Sequence, residues 1–405
     1  MVYAWRHQPF KAIYLIYGAA KVLALIPLWC LRCTLPSWRP RRSWSLKKTL
    51  VMRLVPYVFG EIQEKVGQLQ SWPSWRAVEE GPGIKGVWVD AVTVPHLITG
   101  NVREWATAAG VEPVRIPGYW TDKVNYDTPI REAPAAGEKV IYFIHGGAFM
   151  CLSAHPECIL SVIPRLIMQQ CPSAKRAFTI EYRISDPGPD SNAIPNSFPA
   201  GLMDVVAGYV YLVDVVGFEP ENIIVVGDSA GGNLALAFAR YLVDHIAELS
   251  ATVKTLGPLP PSYPLVLLSP WCDLGTSHEI PASSLVTNTY DLLPDVRRGL
   301  LFEVRKLYTG PLGMEGANEN PYLSPASTHS AMDGPSFKGF PPTFISAGGM
   351  ERFVDQCRTL AKKMAADLGE DRVVYVEEPD ACHDVLVLPF ERRNDTMKAL
   401  ALWLA

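Results

Sequence analysis

Residues 223–239 read Ile-Ile-Val-Val-Gly-Asp-Ser-Ala-Gly-Gly-Asn-Leu-Ala-Leu-Ala-Phe-Ala. The β-branched residues at the start predict a buried strand, and the alanine- and leucine-rich residues at the end predict a helix. Between them the sequence from Gly227 to Gly231 fits G-x-S-x-G, in which glycines let a strand reverse sharply into a helix. Such a turn would hold the Ser229 hydroxyl above the sheet as a candidate nucleophile. The simpler alternative is an ordinary strand–helix turn in which Ser229 caps the helix.

A second strand-like run, at residues 140–144, leads into His145-Gly146-Gly147. Two glycines after a strand allow the backbone to come close to a ligand. Their N–H groups can then face the oxyanion that develops when an acyl group is transferred. We therefore expect an oxyanion hole made of the backbone N–H groups of Gly146, Gly147 and Ala230, the residue that follows the candidate nucleophile.

Together, His-Gly-Gly and Gly-Asp-Ser-Ala-Gly-Gly-Asn resemble the hormone-sensitive-lipase-like branch of the α/β-hydrolases, and the resemblance covers about residues 85–405. Further short sequences support it: Glu181-Tyr182-Arg183, Phe198-Pro199-Ala200, Leu268-Ser269-Pro270-Trp271 and Tyr322-Leu323-Ser324-Pro325. The N-terminal lead, with Trp38-Arg39-Pro40 and Ser43-Trp44, is similar to that of membrane-associated fungal esterases and deacetylases of the steryl acetyl hydrolase type.

The order of the predicted elements indicates an α/β fold with a mainly parallel eight-stranded sheet and helices on both faces. We expect the early strands to have no helices between them and the later strands to alternate with helices. The predicted strands are 86–92, 111–117, 139–145, 177–183, 222–227, 264–269, 342–347 and 372–377, and the predicted helices begin near 159, 198, 230, 352 and 391. The resemblance implies the α/β-hydrolase form of this fold.

The resemblance also suggests how the chain is divided. We expect an N-terminal membrane-associating segment at 1–48 and N-terminal helices at 49–84 that contribute to a cap. The catalytic domain would then cover 85–405, with a cap insertion at about 274–341 that is rich in Pro, Gly and Ser.

A serine hydroxyl needs a base to take its proton, and the base needs an acid to orient it. The resemblance places the base in the loop after the last strand, where His383 lies, whereas His278 and His329 fall in the insertion and are expected on the surface. Two carboxylates, Glu351 and Asp355, follow the penultimate strand four residues apart. The resemblance places the acid at the first of these positions, which favours Glu351 and leaves Asp355 as the alternative.

Composition excludes several other classes of protein. The chain has 37 Lys and Arg against 41 Asp and Glu, so no basic excess points to nucleic acid. Eight cysteines in 405 residues are too few for a disulfide scaffold. Because no zinc-ligand spacing, P-loop or dinucleotide-binding glycine motif occurs in the sequence, we expect neither a cofactor nor a metal.

Residues 12–31 form an apolar run about as long as a bilayer is thick, interrupted by Lys21 and Pro27. The basic, Trp-rich stretch that follows, from Arg32 to Lys48, suits the lipid headgroup layer. We expect association with the endoplasmic reticulum or another internal membrane, through a single span or along the surface. The alternative is a helix packed on the catalytic domain, and the side of the membrane and the oligomeric state stay open.

The resulting functional hypothesis is a serine carboxylester hydrolase that acts on a short-acyl or acetyl ester of a hydrophobic small molecule. The triad would be Ser229, His383 and Glu351, and the reaction would pass through an acyl-enzyme. One alternative is acyl transfer or cyclisation in secondary metabolism on the same scaffold. A less favoured alternative, from a different class, is a ligand-binding receptor without catalysis.

Overall fold

A computed structural model describes residues 3–70, 72–91, 97–185, 196–252, 263–332, 336–391 and 393–405. Its central element is one eight-stranded sheet, with the spatial order β1-β2-β4-β3-β5-β6-β7-β8. The strands are β1 (Lys85–Val89), β2 (Ile116–Asp122), β3 (Lys139–Ile144), β4 (Ala174–Ile180), β5 (Ile223–Asp228), β6 (Leu265–Leu268), β7 (Thr343–Gly348) and β8 (Val373–Glu378). Strand β2 is antiparallel to β1 and β4, and the other pairs are parallel. The predicted sheet is confirmed.

Helices cover both faces of this sheet, because its central strands are apolar on both sides. In β3, Tyr142 and Ile144 pack against helices on one face, and Ile141 and Phe143 pack against helices on the other. The helices are α1 (Phe10–Cys33), α2 (Leu46–Tyr57), α3 (Gln63–Val66), α4 (Gly100–Ala109), α5 (Val162–Gln170), α6 (Ala200–Val210), α7 (Ala230–Asp244), α8 (Ile246–Thr252), α9 (Ser284–Thr287), α10 (Gly299–Thr309), α11 (Gly313–Glu319), α12 (Val354–Leu368) and α13 (Asn394–Leu404).

The first part of the region predicted to be the catalytic domain differs from the sequence prediction. Helix α4 lies between β1 and β2, so the expectation of early strands without a helix between them is wrong. Its apolar face is only a few small side chains, Val102, Ala106 and Ala109, which bury well but give a weak pattern in sequence. Strand β2 consequently begins at Ile116 and not at residue 111. The loop predicted at 184–197 falls mostly on residues 186–195, which lie outside the described residues.

The N-terminal region has two distinct parts. Within the described ranges, α1 is the helix that is long and apolar enough to cross a membrane, and its side chains are mostly exposed or half-buried. After α1 the chain turns back, and Trp44 and Lys48 become buried against the loop that follows β8. The Trp44 Nε1–H and the Lys48 Nζ both donate to the carbonyl oxygen of Asp380, each at 2.8 Å. For these two residues the expected position in the headgroup layer is wrong, because their polar groups find partners inside the protein.

This burial predicts different stabilities for two tryptophan variants of the N-terminal region. Trp44 is 2% exposed and Trp38 is 59% exposed. We expect Trp44→Ala to lower the free energy of unfolding by about 3–5 kcal/mol, because it leaves a cavity and removes one of the two hydrogen bonds to the Asp380 carbonyl. We expect Trp38→Ala to change the free energy by about 0.5 kcal/mol or less. Chemical denaturation of both variants in one detergent measures this, and equal losses would contradict the packing described here.

Candidate active site

The turn between β5 and α7 places Ser229 at its apex. The Ser229 backbone has φ 53° and ψ −115°, a conformation that L-residues rarely adopt and that the surrounding structure must enforce. Backbone crowding requires glycine on both sides. A Cβ on Gly231 would lie 2.1 Å from the carbonyl oxygen of Ile144, and one on Gly227 would lie 2.4 Å from the carbonyl oxygen of Gly231. The G-x-S-x-G spacing is therefore a steric requirement of this turn.

His383 reaches the serine from the loop that follows β8. Its Nε2 lies 2.9 Å from the Oγ of Ser229, and both side chains are buried. The edge-to-face contact with the Phe353 ring, at 5.3 Å between centroids, restricts the tilt of the imidazole. The structure thus brings together the serine and the histidine that the sequence pointed to.

Glu351 approaches the other ring nitrogen of the histidine. Its Oε2 lies 3.7 Å from the Nδ1 of His383, which is longer than a hydrogen bond, and such distances in resting enzymes often shorten when substrate binds. The same Oε2 accepts hydrogen bonds from Ser269 Oγ at 2.6 Å and from the backbone N–H of Gly348 at 3.0 Å. The carboxylate is therefore held in place by groups other than the imidazole.

Asp355, the alternative acid, has different partners. Its Oδ2 accepts the backbone N–H of Ser284 at 2.7 Å, and its Oδ1 pairs with Arg358 at 2.9 Å. The bond with Ser284 attaches the start of α12 to the insertion, and the pair with Arg358 lies within α12. Of the two candidate carboxylates, the structure brings Glu351 and not Asp355 to His383.

A further carboxylate, Asp291, was not found from the sequence. It is fully buried, and its Oδ1 accepts the backbone N–H of His383 at 2.9 Å while its Oδ2 accepts that of Arg352 at 2.8 Å. Asp291 thus joins the loop that carries the histidine to the loop that carries Glu351. Burial raises the pKa of Asp291 to about 6. An Asp in a turn-rich insertion gives no sequence signal for such a role.

The charges near the imidazole shift its protonation. Burial by itself would lower the pKa of His383, but the nearby carboxylates Asp384, Glu351 and Asp291 outweigh it and raise the pKa to about 9. Burial and the neighbouring Asp384 also raise the pKa of Asp228, which directly precedes Ser229, well above its ordinary value. The side chain of Asp228 is therefore favoured in its neutral form beside the serine.

The loop after β3 lies directly against the turn that carries Ser229. A Cβ on Gly146 would be 2.5 Å from Asp228 Oδ2 and 3.2 Å from Ser229 Cβ. Burial lowers the pKa of His145 to about 4, so its imidazole is neutral, and its Nδ1 donates to the carbonyl oxygen of Gly146 at 2.7 Å. Because a trans peptide points its N–H opposite to its C=O, this bond also fixes the direction of the Gly147 N–H.

The end of the same loop is held from the insertion. Ala148 and Phe149 both have left-handed backbones, with φ 53° and 59°, which non-glycine residues adopt only under constraint. The Phe149 ring stacks on that of Tyr308 in α10, with centroids 3.7 Å apart. The shape of this loop therefore depends on α10 as well as on the sheet.

One histidine of the insertion is not where the sequence placed it. His278 is buried, and its Nδ1 lies 2.7 Å from Asp273 Oδ2 while its Nε2 lies 3.1 Å from Thr359 Oγ1. The expectation of a surface group is therefore wrong for His278, because two polar partners make its burial possible. In the part of the chain that the structure describes, no group of three or more His, Cys, Asp and Glu side chains could hold a metal ion.

A family model for the α/β hydrolase fold matches residues 141–387. The chain belongs to this family. In this hydrolase, the match includes the turn at Ser229, the glycine loop after β3, and the residues Glu351 and His383.

Curated relatives match over more than half of this chain. An esterase of Acinetobacter venetianus is 26% identical over 62% of this chain and 68% of the relative. An acetyl-hydrolase of Streptomyces hygroscopicus is 29% identical over 63% of this chain and 70% of the relative. A triacylglycerol lipase of Mycobacterium tuberculosis is 27% identical over 57% of this chain, but only 38% of that longer protein is covered. The predicted enzyme class, a serine hydrolase, is confirmed.

Solved structures agree on the fold. A crystal structure of a hormone-sensitive lipase from a metagenome library superposes with a TM-score of 0.54, at 22% identity, over 87% of this chain and 95% of that one. This superposition confirms the predicted fold. The family match and the acetyl-hydrolase relative together bear out the predicted resemblance to the hormone-sensitive-lipase-like branch. The narrower resemblance to fungal steryl acetyl hydrolases stays a prediction.

The different positions of the two acids predict different losses of activity. Glu351→Gln keeps the shape of the side chain but removes its charge, and we expect kcat to fall on the order of 10²- to 10⁴-fold. Asp355→Asn, the matched control, should have a much smaller effect because Asp355 contacts Ser284 and Arg358. Steady-state hydrolysis of p-nitrophenyl acetate measures both. A severe loss in Asp355→Asn with near-normal Glu351→Gln would move the role to Asp355.

Proposed function

We propose that this hydrolase is a carboxylesterase that acts on a short-acyl or acetyl ester of a hydrophobic small molecule. The observation that best supports the proposal is the 2.9 Å contact between Ser229 Oγ and His383 Nε2, at a strained turn beside a glycine loop. The esterase and acetyl-hydrolase relatives support the ester substrate and the short acyl group. A receptor without catalysis would have no need to keep this contact.

In the proposed mechanism, Ser229 Oγ attacks the ester carbonyl carbon while its proton moves to Nε2 of His383. The carbonyl oxygen becomes an oxyanion that faces the N–H groups of Gly146, Gly147 and Ala230. When the intermediate collapses, the alcohol leaves with the proton from Nε2 and the acyl group stays on Ser229. Water then attacks the acyl carbonyl carbon and gives a proton to Nε2. When this second intermediate collapses, Nε2 returns the proton to Ser229 Oγ, the acyl–Oγ bond breaks, and the carboxylic acid is released.

The charges around the site suit this sequence of steps. Glu351 would fix the orientation of the imidazole and stabilise the imidazolium that each attack produces. A neutral Asp228 would avoid a second negative charge beside the developing oxyanion. Because the pKa of His383 is raised to about 9 and attack needs the neutral imidazole, hydrolysis is favoured on the alkaline side of neutrality.

A row of buried aromatic rings supports a hydrophobic substrate. Tyr308 stacks on Phe149, Phe149 contacts Trp271, Trp271 stacks on Phe353, and Phe353 contacts His383. Tyr308 comes from the insertion, which the N-terminal helices also contact through α3 and α10. We propose that these two segments together form the cap over the acyl group.

Removing the nucleophile tests the function directly. Ser229→Ala should lose p-nitrophenyl acetate hydrolysis on the order of 10⁴- to 10⁶-fold, because no acyl-enzyme can form. It should also fail to react with a fluorophosphonate probe that labels the wild-type protein. Ser153→Ala, at a buried serine that bonds Glu181, is the matched control for labelling. More than a tenth of wild-type activity left in Ser229→Ala would exclude this serine as the nucleophile.

We also propose that α1 associates with a membrane. Its exposed apolar side chains have no cover within the described residues, and its mean hydropathy of 1.7 fits a span. Its C-terminal end leads into basic residues, which would favour the headgroups of anionic lipids.

Charged substitutions on α1 test the membrane proposal without removing any buried residue. Ile16 and Leu23 are each 70% exposed, and a charge near the centre of a span costs about 2.5–3.5 kcal/mol. We expect Ile16→Asp/Leu23→Asp to move the protein from the membrane pellet to the supernatant. The control Val124→Asp/Leu402→Asp, at exposed sites of the catalytic domain, should stay in the pellet. A wild-type protein already in the supernatant would refute the proposal.

A further inference from the structure

We propose that Lys48, together with Trp44, is a positioning residue of the active site, because it holds the loop that carries His383. This histidine loop comprises residues 380–391. The inference rests on the proposed function, in which His383 is the base. Both residues belong to the N-terminal segment that the sequence predicted to associate with a membrane, and here they influence the position of the base.

The beginning of the histidine loop is hydrogen-bonded to the N-terminal region through one residue, Asp380. The carbonyl oxygen of Asp380 accepts two hydrogen bonds, from Trp44 Nε1 and from Lys48 Nζ, each at 2.8 Å. Ser43 Oγ donates to the side chain of the same residue, to Oδ2, at 2.6 Å. Asp380 precedes His383 by three residues, so these bonds act on the backbone that leads directly into the base.

The end of the loop is bonded to the same lysine. The Nζ of Lys48 forms an ion pair with Oε2 of Glu391, and both side chains are buried. The other oxygen of Glu391 accepts the backbone N–H of Cys382 at 3.3 Å, next to the catalytic histidine. Lys48 therefore connects the first and last residues of the loop, and through Glu391 it reaches the neighbour of His383.

Apolar contacts also hold the histidine loop against the N-terminal region. Trp44 and Met52 of the N-terminal region form a buried cluster with Cys382 of the loop and with Met350, the residue before Glu351. The Lys48 ammonium also lies 4.7 Å from the Trp44 ring centroid. The N-terminal region thus packs against the loops that carry both the base and its acid.

This packing should affect the rate of catalysis for two physical reasons. A buried ion pair that loses one partner leaves an uncompensated charge, and its cost falls only when the side chain moves toward water or takes up a proton. Here that charge is on Glu391, so a move would displace the loop. The contact between His383 and Ser229 is only 2.9 Å long, and a misplacement of about 1 Å can cost about 10²-fold in rate. A disturbed loop should therefore reduce turnover more than it reduces substrate binding.

The experiment compares Lys48→Met with Lys47→Met, a neighbouring lysine that is exposed. Both are assayed in the full-length protein with p-nitrophenyl acetate, at a temperature below the melting midpoint of each variant. We expect kcat of Lys48→Met to fall about 10- to 100-fold with KM nearly unchanged, and Lys47→Met to match wild type. The rate of fluorophosphonate labelling should fall with kcat, because labelling also needs the base.

A second substitution provides the rescue. In Lys48→Met/Glu391→Gln the buried charge is gone, and the Gln oxygen can still accept the Cys382 N–H. We expect this double variant to recover most of the lost kcat, which simple loss of packing would not allow. If Lys48→Met does not fold, Trp44→Phe removes the indole donor to Asp380 but keeps an aromatic ring. It should lower kcat several-fold with KM nearly unchanged.

Three outcomes would overturn the inference: normal kcat in Lys48→Met, a loss confined to KM, or a double variant no better than the single one. Ser229→Ala is measured in the same assay to separate this inference from the proposed function. If hydrolysis depends on Ser229 while Lys48→Met behaves like Lys47→Met, the positioning role alone fails. If hydrolysis does not depend on Ser229, the proposed function fails and the positioning role fails with it.

Discussion

The strained backbone of Ser229 is the constraint on which the rest of the site depends. A left-handed serine between a strand and a helix persists only if its neighbours enforce it. Its N–H donates to the carbonyl oxygen of Leu268 at 2.9 Å, and its own carbonyl accepts the N–H of Trp271 at 2.9 Å. Both partners come from the end of β6 and the loop after it. The parallel neighbour of β5 thus holds the turn, and the sheet order is a condition for the position of the hydroxyl.

Around this turn, the imidazole of His383 is buried among several carboxylates. Each carboxylate is stabilised differently. Asp291 accepts two backbone N–H groups, Glu351 accepts a serine hydroxyl and a backbone N–H, and Asp228 is favoured in its neutral form. Buried charges are costly unless they are paired or hydrogen-bonded, and these bonds keep Asp291 and Glu351 buried near His383. Together with Asp384, these two carboxylates raise the pKa of His383.

The site is also assembled from distant parts of the chain. Loops from the ends of three parallel strands supply Ser229, Glu351 and His383. The insertion supplies Asp291 and the ring of Tyr308, and the N-terminal region supplies Trp44 and Lys48. The catalytic region that the family match covers is therefore completed by a segment that lies well before it in sequence. Stability of the N-terminal packing and geometry of the base are linked through the same contacts.

The sequence by itself determined the eight-stranded α/β fold, the strand–turn–helix at Ser229 and the glycine loop at Gly146, because these depend on local patterns of burial and backbone sterics. It did not determine α4, whose small buried residues give a weak pattern, or the burial of His278. Only the tertiary structure placed Glu351 and not Asp355 near His383, revealed the buried position of Asp291, and buried Trp44 and Lys48, which the sequence had placed in the headgroup layer. The physical reason is that each of these depends on a partner far away in sequence. An amphipathic or charged side chain is compatible with lipid, solvent or a buried polar partner, and only the folded chain supplies the partner.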